Sequence, residues 1–92
     1  MESKLNNGIN RTIETCIDNQ YPLFIRYRKI DGSEVSNRVV YPKRQWVTVA
    51  NKEVMSCYDI CKKSPRTFRL DELEEVKQIS KVRAFVFKVF GV

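Results

Sequence analysis

The stretch LFIRYRKIDGSEVSNRVVY, residues 23–41, decides the fold. Leu23, Ile25 and Tyr27 alternate with Phe24, Arg26 and Arg28, the period of two that sends successive side chains to opposite faces of a half-buried strand. Asp31-Gly32 then supplies a turn, because glycine reaches positive φ without a Cβ clash, and an Asp-Gly pair between two strand-like runs is a strong hairpin signal. The return strand runs from about Glu34 to Tyr41. Pro42 closes it, since proline cannot donate to a strand ladder.

Working outward toward the N-terminus, Ile9, Ile13, Cys16 and Ile17 recur at i, i+4, i+7 and i+8. This spacing predicts a helix over about 5–19 with one apolar stripe to bury. It should end before Tyr21-Pro22, because the residue ahead of a proline avoids the helical region. Toward the C-terminus, Trp46 to Ala50 and Glu53 to Ile60 read as two further strands joined at Asn51-Lys52. Cys61 to Pro65 has loop composition, and Arg66 to Leu70 resumes as a short strand with Phe68 and Leu70 on one face and Thr67 and Arg69 on the other. Asp71 with Glu74 resembles a capping box, so a helix competes with a turn and strand after Leu70. The run from Val82 to Phe90, rich in Phe and Val, favours a final strand over a helix on β propensity. One N-terminal helix followed by five or six short antiparallel strands predicts a mainly β fold. A small SH3-like or Sm-like barrel fits, because closure protects strand edges. The expected organisation is one domain over 1–92: helix 5–19, barrel 22–79, and a terminal strand or helix over 80–92.

The chain carries 17 Lys and Arg against 11 Asp and Glu, a net charge of +6. Nine basic residues face seven acidic ones up to residue 60, and eight face four after it, so the excess lies toward the end. Such an imbalance favours anionic partners. Cys16, Cys57 and Cys61 are odd in number, without framework spacing and without a secretory leader ahead of them, which fits reduced thiols and a cytoplasmic setting. No run approaches the roughly 20 apolar residues of a membrane span.

Histidine is absent, which removes the commonest general acid–base group near neutral pH and the commonest metal ligand. Cys57 and Cys61 lack the two further ligands of a zinc site. The glycines Gly8, Gly32 and Gly91 are scattered, so no loop cradles a nucleotide phosphate. Asp71, Glu72, Glu74 and Glu75 form a contiguous acidic run that reads as a solvated face before it reads as a magnesium site. No enzymatic role and no cofactor are expected.

The chemistry that is present is a set of arginines on strands: Arg26 and Arg28, Arg38, then Arg66 and Arg69. Guanidinium groups are permanent planar forks suited to phosphate oxygens, and Tyr41, Trp46 or Tyr58 beside them could stack a base. The competing reading is that these arginines only solvate the outside of a barrel.

In their order the segments resemble the WYL domain family. Ile9 to Val35 resembles its helix, tyrosine-centred strand and glycine hairpin. Arg38-Val39-Val40-Tyr41-Pro42 is similar to its Arg-x-x-x-Pro, and Arg66-Thr67-Phe68-Arg69-Leu70-Asp71-Glu72-Leu73 to its Arg-x-Phe-Arg-Leu-Asp-Arg-Ile. The resemblance covers about residues 9–79. Two departures stand out: the naming Trp-Tyr-Leu triplet falls on Glu53-Val54-Met55, and Glu72 replaces an arginine. The resemblance implies an SH3-like barrel with a short helical turn at Asp71 to Leu73 followed by a strand. It also implies a regulatory module that senses a nucleotide or single-stranded nucleic acid. Arg38, Arg66 and Arg69 are carried over as phosphate-holding residues, with Arg26 and Tyr58 added from alternation and proximity as wall residues. Eight residues before the first motif are too few for a helix-turn-helix, so promoter binding by this polypeptide alone is not expected. The apolar run Val82 to Phe90 offers a second role, in docking an effector protein or a second copy.

Overall fold

A computed structural model describes residues 4–90; the ends of the expected 1–92 span, residues 1–3 and 91–92, lie outside the described residues. The order is α1 (Lys4–Asn19), β1 (Leu23–Arg28), β2 (Val35–Val47), β3 (Glu53–Asp59), β4 (Ser64–Arg69), a 3₁₀ turn (Leu70–Glu72), β5 (Leu73–Gln78) and α2 (Lys81–Phe90). The strands form one antiparallel sheet in the order β4-β3-β2-β1-β5. Tyr27 of β1 and Phe68 of β4 meet with ring centroids 4.9 Å apart although two strands separate them in the sheet. The sheet is therefore curled into a barrel. Its β4–3₁₀–β5 corner and leading helix give the expected SH3-like or Sm-like arrangement.

The barrel interior holds Leu23, Ile25, Tyr27, Val40, Met55, Cys57, Phe68, Leu70 and Leu73, and Ile13 and Cys16 of α1 plug it. Burial of that apolar stripe, more than intrinsic propensity, holds a 16-residue helix in place. The helix stops where Gln20 turns left-handed at φ 59°, and the Tyr21 N–H donates to the Cys16 carbonyl at 3.0 Å. The Asp-Gly turn is present as expected. Gly32 sits at φ 76°, its N–H donates to Lys29 O, and Asp31 Oδ1 accepts the Ser33 N–H. After Leu70 the short turn and strand implied by the family resemblance are found, and the longer helix is not.

Two expectations are corrected. The return strand does not stop at Pro42, and Trp46 does not open a separate strand. β2 runs unbroken from Val35 to Val47, with the register slipping by one residue between Pro42 and Arg44 opposite β3. The bulge absorbs the proline, which is one of the few places a ladder tolerates it.

The second correction concerns the last segment, which is a helix and not a strand. Ser80 starts it, its Oγ accepting the Arg83 N–H at 3.1 Å and its carbonyl the Ala84 N–H at 3.0 Å. The outer sheet face exposes an apolar patch of Phe24, Val39, Tyr41, Ile60 and Ile79, and α2 covers it with Ala84 and Phe87, three residues apart on one helix face. Covering a patch needs a face more than an extra strand. That tertiary demand overrides the β propensity of Phe and Val.

Candidate ligand-binding face and groove

In an antiparallel ladder directly opposed residues share a face, so register sorts the arginines. Arg38 lies opposite Ile25, and Arg66 opposite Cys57, both partners being interior residues. Arg26, Arg69 and Tyr58 lie on the outer face: Arg26 alternates with Ile25 and Tyr27, Arg69 with Phe68 and Leu70, and Tyr58 pairs with Tyr41. The five residues singled out from the sequence are thus divided three to two across the sheet.

Most of the arginines are engaged within the chain. Arg26 and Arg28 share Glu74, donating from Nε at 3.2 and 2.6 Å. The Arg28 hydrogen bond above all, reinforced by Arg26, holds the Glu74 carboxyl below the usual carboxylate range. Arg69 donates from Nε and Nη2 to both oxygens of Asp71 at 3.0 and 2.6 Å. Arg38, with a side chain only 18% exposed, points its Nε at Asp59 Oδ2 at 3.6 Å and its Nη2 at Glu34 at 3.9 Å. Arg66 has no carboxylate partner among the described residues. Its guanidinium lies over the Phe68 ring, 5.0 Å from the centroid, where the quadrupole of the ring attracts a cation without neutralising it.

One residue that sequence reasoning passed over, Asp59, completes the interior face beside Arg38, Tyr27 and Cys57. Asp59 is fully buried, and its Oδ1 accepts the N–H groups of Cys61 and Lys62, both at 3.0 Å, closing the β3–β4 turn. The Asp59 Oδ2, the Arg38 Nε and the Tyr27 hydroxyl are buried without a hydrogen bond among the described residues. Burial first, and then the Asp59 charge, push the Cys57 thiol up to about 12, with Arg66 pulling the other way. An aspartate at a strand end is common at turns, so only its contact with Arg38 could have marked it, and that contact is not visible in spacing.

The outer face carries a groove between α2 and strands β2 and β3, about 540 Å³ in volume and lined by Tyr41, Tyr58, Lys63, Lys81, Phe85 and Lys88 among others. Tyr58 is therefore beside lysines and not beside the arginines it was grouped with. No group of three or more metal-ligating side chains occurs among the described residues.

A helix-plugged five-stranded barrel with an SH3-like corner and arginines on its strands defines a small barrel module of the Sm or SH3 type. The chain belongs to the WYL domain family, whose model matches residues 8–78. Among solved structures it is similar to proteasome accessory factor B/C (PafBC) of Arthrobacter aurescens, at 24% identity and a TM-score of 0.75 over 85% of this chain. The match spans 12% of that protein's chain, and at this identity it speaks for the fold alone. No curated protein matches the chain.

Proposed function

We propose that the chain is a non-enzymatic regulatory sensing module that takes up a nucleotide or single-stranded nucleic acid through arginines of the barrel, with Arg38 and Arg66 foremost. The observation that carries the reading is Arg66. Of the six strand arginines, Arg44 and Arg66 have no carboxylate partner among the described residues, and each lies over an aromatic ring. Arg44 is exposed on the outer face, whereas Arg66 is half-buried and shares the interior face with Arg38. A partly desolvated, un-neutralised guanidinium is a strong phosphate donor because both its charge and its fork are available. Arg69 and Arg26, tied to Asp71 and Glu74, would have to exchange a carboxylate for a phosphate to take part.

The test is binding of labelled single-stranded DNA and RNA oligonucleotides across a salt series. Arg66→Ala should weaken binding by about tenfold, the loss of one charge-assisted contact. It should also lower the salt slope by about one unit. Arg38→Lys keeps the charge and loses the fork, and should weaken binding while leaving the fold intact. Affinity indifferent to both changes would remove the interior arginines from the reading.

A second reading, a protein-docking module, is favoured by α2. Val82, Phe85, Val86, Val89 and Phe90 recur at i, i+3, i+4, i+7 and i+8 and are all exposed, Val82 and Phe90 at 72%. With Lys81, Arg83 and Lys88 and no acidic residue on the helix, this stripe fits a protein whose apolar surface is edged by carboxylates, and two like-charged copies fit it less well. Titration with an amphipathic Leu/Glu helical peptide should give salt-sensitive binding that Val82→Glu abolishes; sedimentation equilibrium would expose self-association instead.

A further inference from the structure

The family match ends at residue 78, so α2 lies outside the matched region and closes a groove whose other side, Tyr41, Tyr58 and Lys63, lies within it. The groove has a one-sided chemistry. Its lining contributes three ammonium groups, Lys63, Lys81 and Lys88, and no carboxylate. None of the three makes an ion pair among the described residues, although arginines elsewhere on the chain are held by Glu74, Asp71 and Asp59. Its wall is a direct cross-strand tyrosine pair, Tyr41 on β2 opposite Tyr58 on β3, with Tyr58 38% exposed. Phe85, 64% exposed, forms the rim from the α2 side.

The positions of the lysines say more than their number. Lys63 is set by the turn that Asp59 closes: it takes a left-handed φ of 55° and its N–H donates to the Asp59 carbonyl at 2.7 Å. Lys81 and Lys88 are seven residues apart, two turns of α2 on the same side, which places them about 10.5 Å apart along the axis. Successive phosphates of a chain can engage both ammonium groups along the helix. Beyond Lys81 a second cavity of about 450 Å³, lined by Gln20, Tyr41 and Lys43, continues the track.

We infer that this outer groove is a track for single-stranded nucleic acid, with the backbone following Lys43, Lys81 and Lys88 toward Lys63 and bases stacking on Tyr41, Tyr58 and Phe85. Spaced cations along an aromatic wall are the combination that holds a strand without reading its sequence. The groove lies on the opposite face of the sheet from Arg38 and Arg66 and stands independently of them.

The experiment uses the full chain and a labelled pyrimidine 12-mer, with ATP as the mononucleotide arm, in fluorescence anisotropy over a salt series. Four proteins are compared: the parent, the triple variant Lys63→Gln/Lys81→Gln/Lys88→Gln, Tyr58→Ala and Arg66→Ala, each checked by thermal melting. The expected result is that the triple variant loses about 30-fold or more in 12-mer affinity. Its salt slope should fall by about two units, at roughly 0.7 per single-strand phosphate contact. Tyr58→Ala should lose at least ~5-fold through stacking, and ATP should bind far more weakly than the 12-mer. A 12-mer affinity unchanged in the triple variant and Tyr58→Ala overturns the groove, and if Arg66→Ala alone reduces it the interior reading stands. ATP binding as tight as the 12-mer overturns the strand in favour of a single nucleotide, and absence of binding in the parent overturns both sites.

Discussion

Arg38 approaches the fully buried Asp59 at 3.6 Å from Nε to Oδ2, inside the barrel and between two adjacent strands. The same carboxylate closes the β3–β4 turn through Oδ1. Asp59→Ala should therefore cost about 3–5 kcal/mol, because it strands a partly buried cation and opens the turn together. Asp59→Asn keeps the Oδ1 acceptor and should cost less, about 1–3 kcal/mol. Urea unfolding of the two variants checks the order; equal losses would mean that the charge facing Arg38 alone matters, because only Asp59→Ala removes the turn acceptor.

The Tyr27 hydroxyl is buried without a partner, while its ring packs on Phe68. Removing an unsatisfied hydroxyl and keeping the ring relieves a desolvation cost. Tyr27→Phe should leave the urea midpoint unchanged or raise stability by up to ~1 kcal/mol. If oligonucleotide affinity falls in that variant, the hydroxyl is a ligand contact of the interior face.

The Cys57 thiol, 2% exposed, is raised to about 12 by burial and by Asp59. A thiol whose folded value lies above its unfolded value of about 9 stabilises the fold fully below about pH 9 and loses that contribution as pH climbs toward 12. The parent should lose up to ~4 kcal/mol more over that window than Cys57→Ala. Urea midpoints from pH 8 to 11 measure the difference. At pH 8 Cys57 should resist thiol-reactive reagents, and half-buried Cys61 should react first.

Phe87 of α2 meets Phe24 edge-on, with centroids 6.5 Å apart, and Ala84 is buried beside them. Phe87→Ala should loosen α2 at a cost of about 1–3 kcal/mol. Ala84→Arg should release it, because a long charged side chain cannot occupy the contact. Circular dichroism should show helix loss while the aromatic signal of the Tyr27–Phe68 core persists. Loss of the whole fold instead would make α2 part of the barrel.

The sequence by itself determined the elements whose signals are local. The period-two run of β1, the Asp-Gly turn, the apolar stripe of α1 and its stop ahead of Pro22 follow from backbone sterics and burial of one face, which neighbouring residues encode. The Arg66–Leu73 motif likewise carried the 3₁₀ corner through its family resemblance. Only the tertiary structure decided the rest. Pro42 sits inside a continuous strand because the ladder to β3 slips by one residue there. Val82 to Phe90 became a helix because a distant patch of Phe24, Val39 and Ile79 required cover. The arginines were divided between faces, and partnered or left free, by register and by carboxylates up to 48 residues away, as with Arg26 and Glu74. Charge pairing across strands depends on which residues the fold makes neighbours, and alternation along one strand does not contain that information.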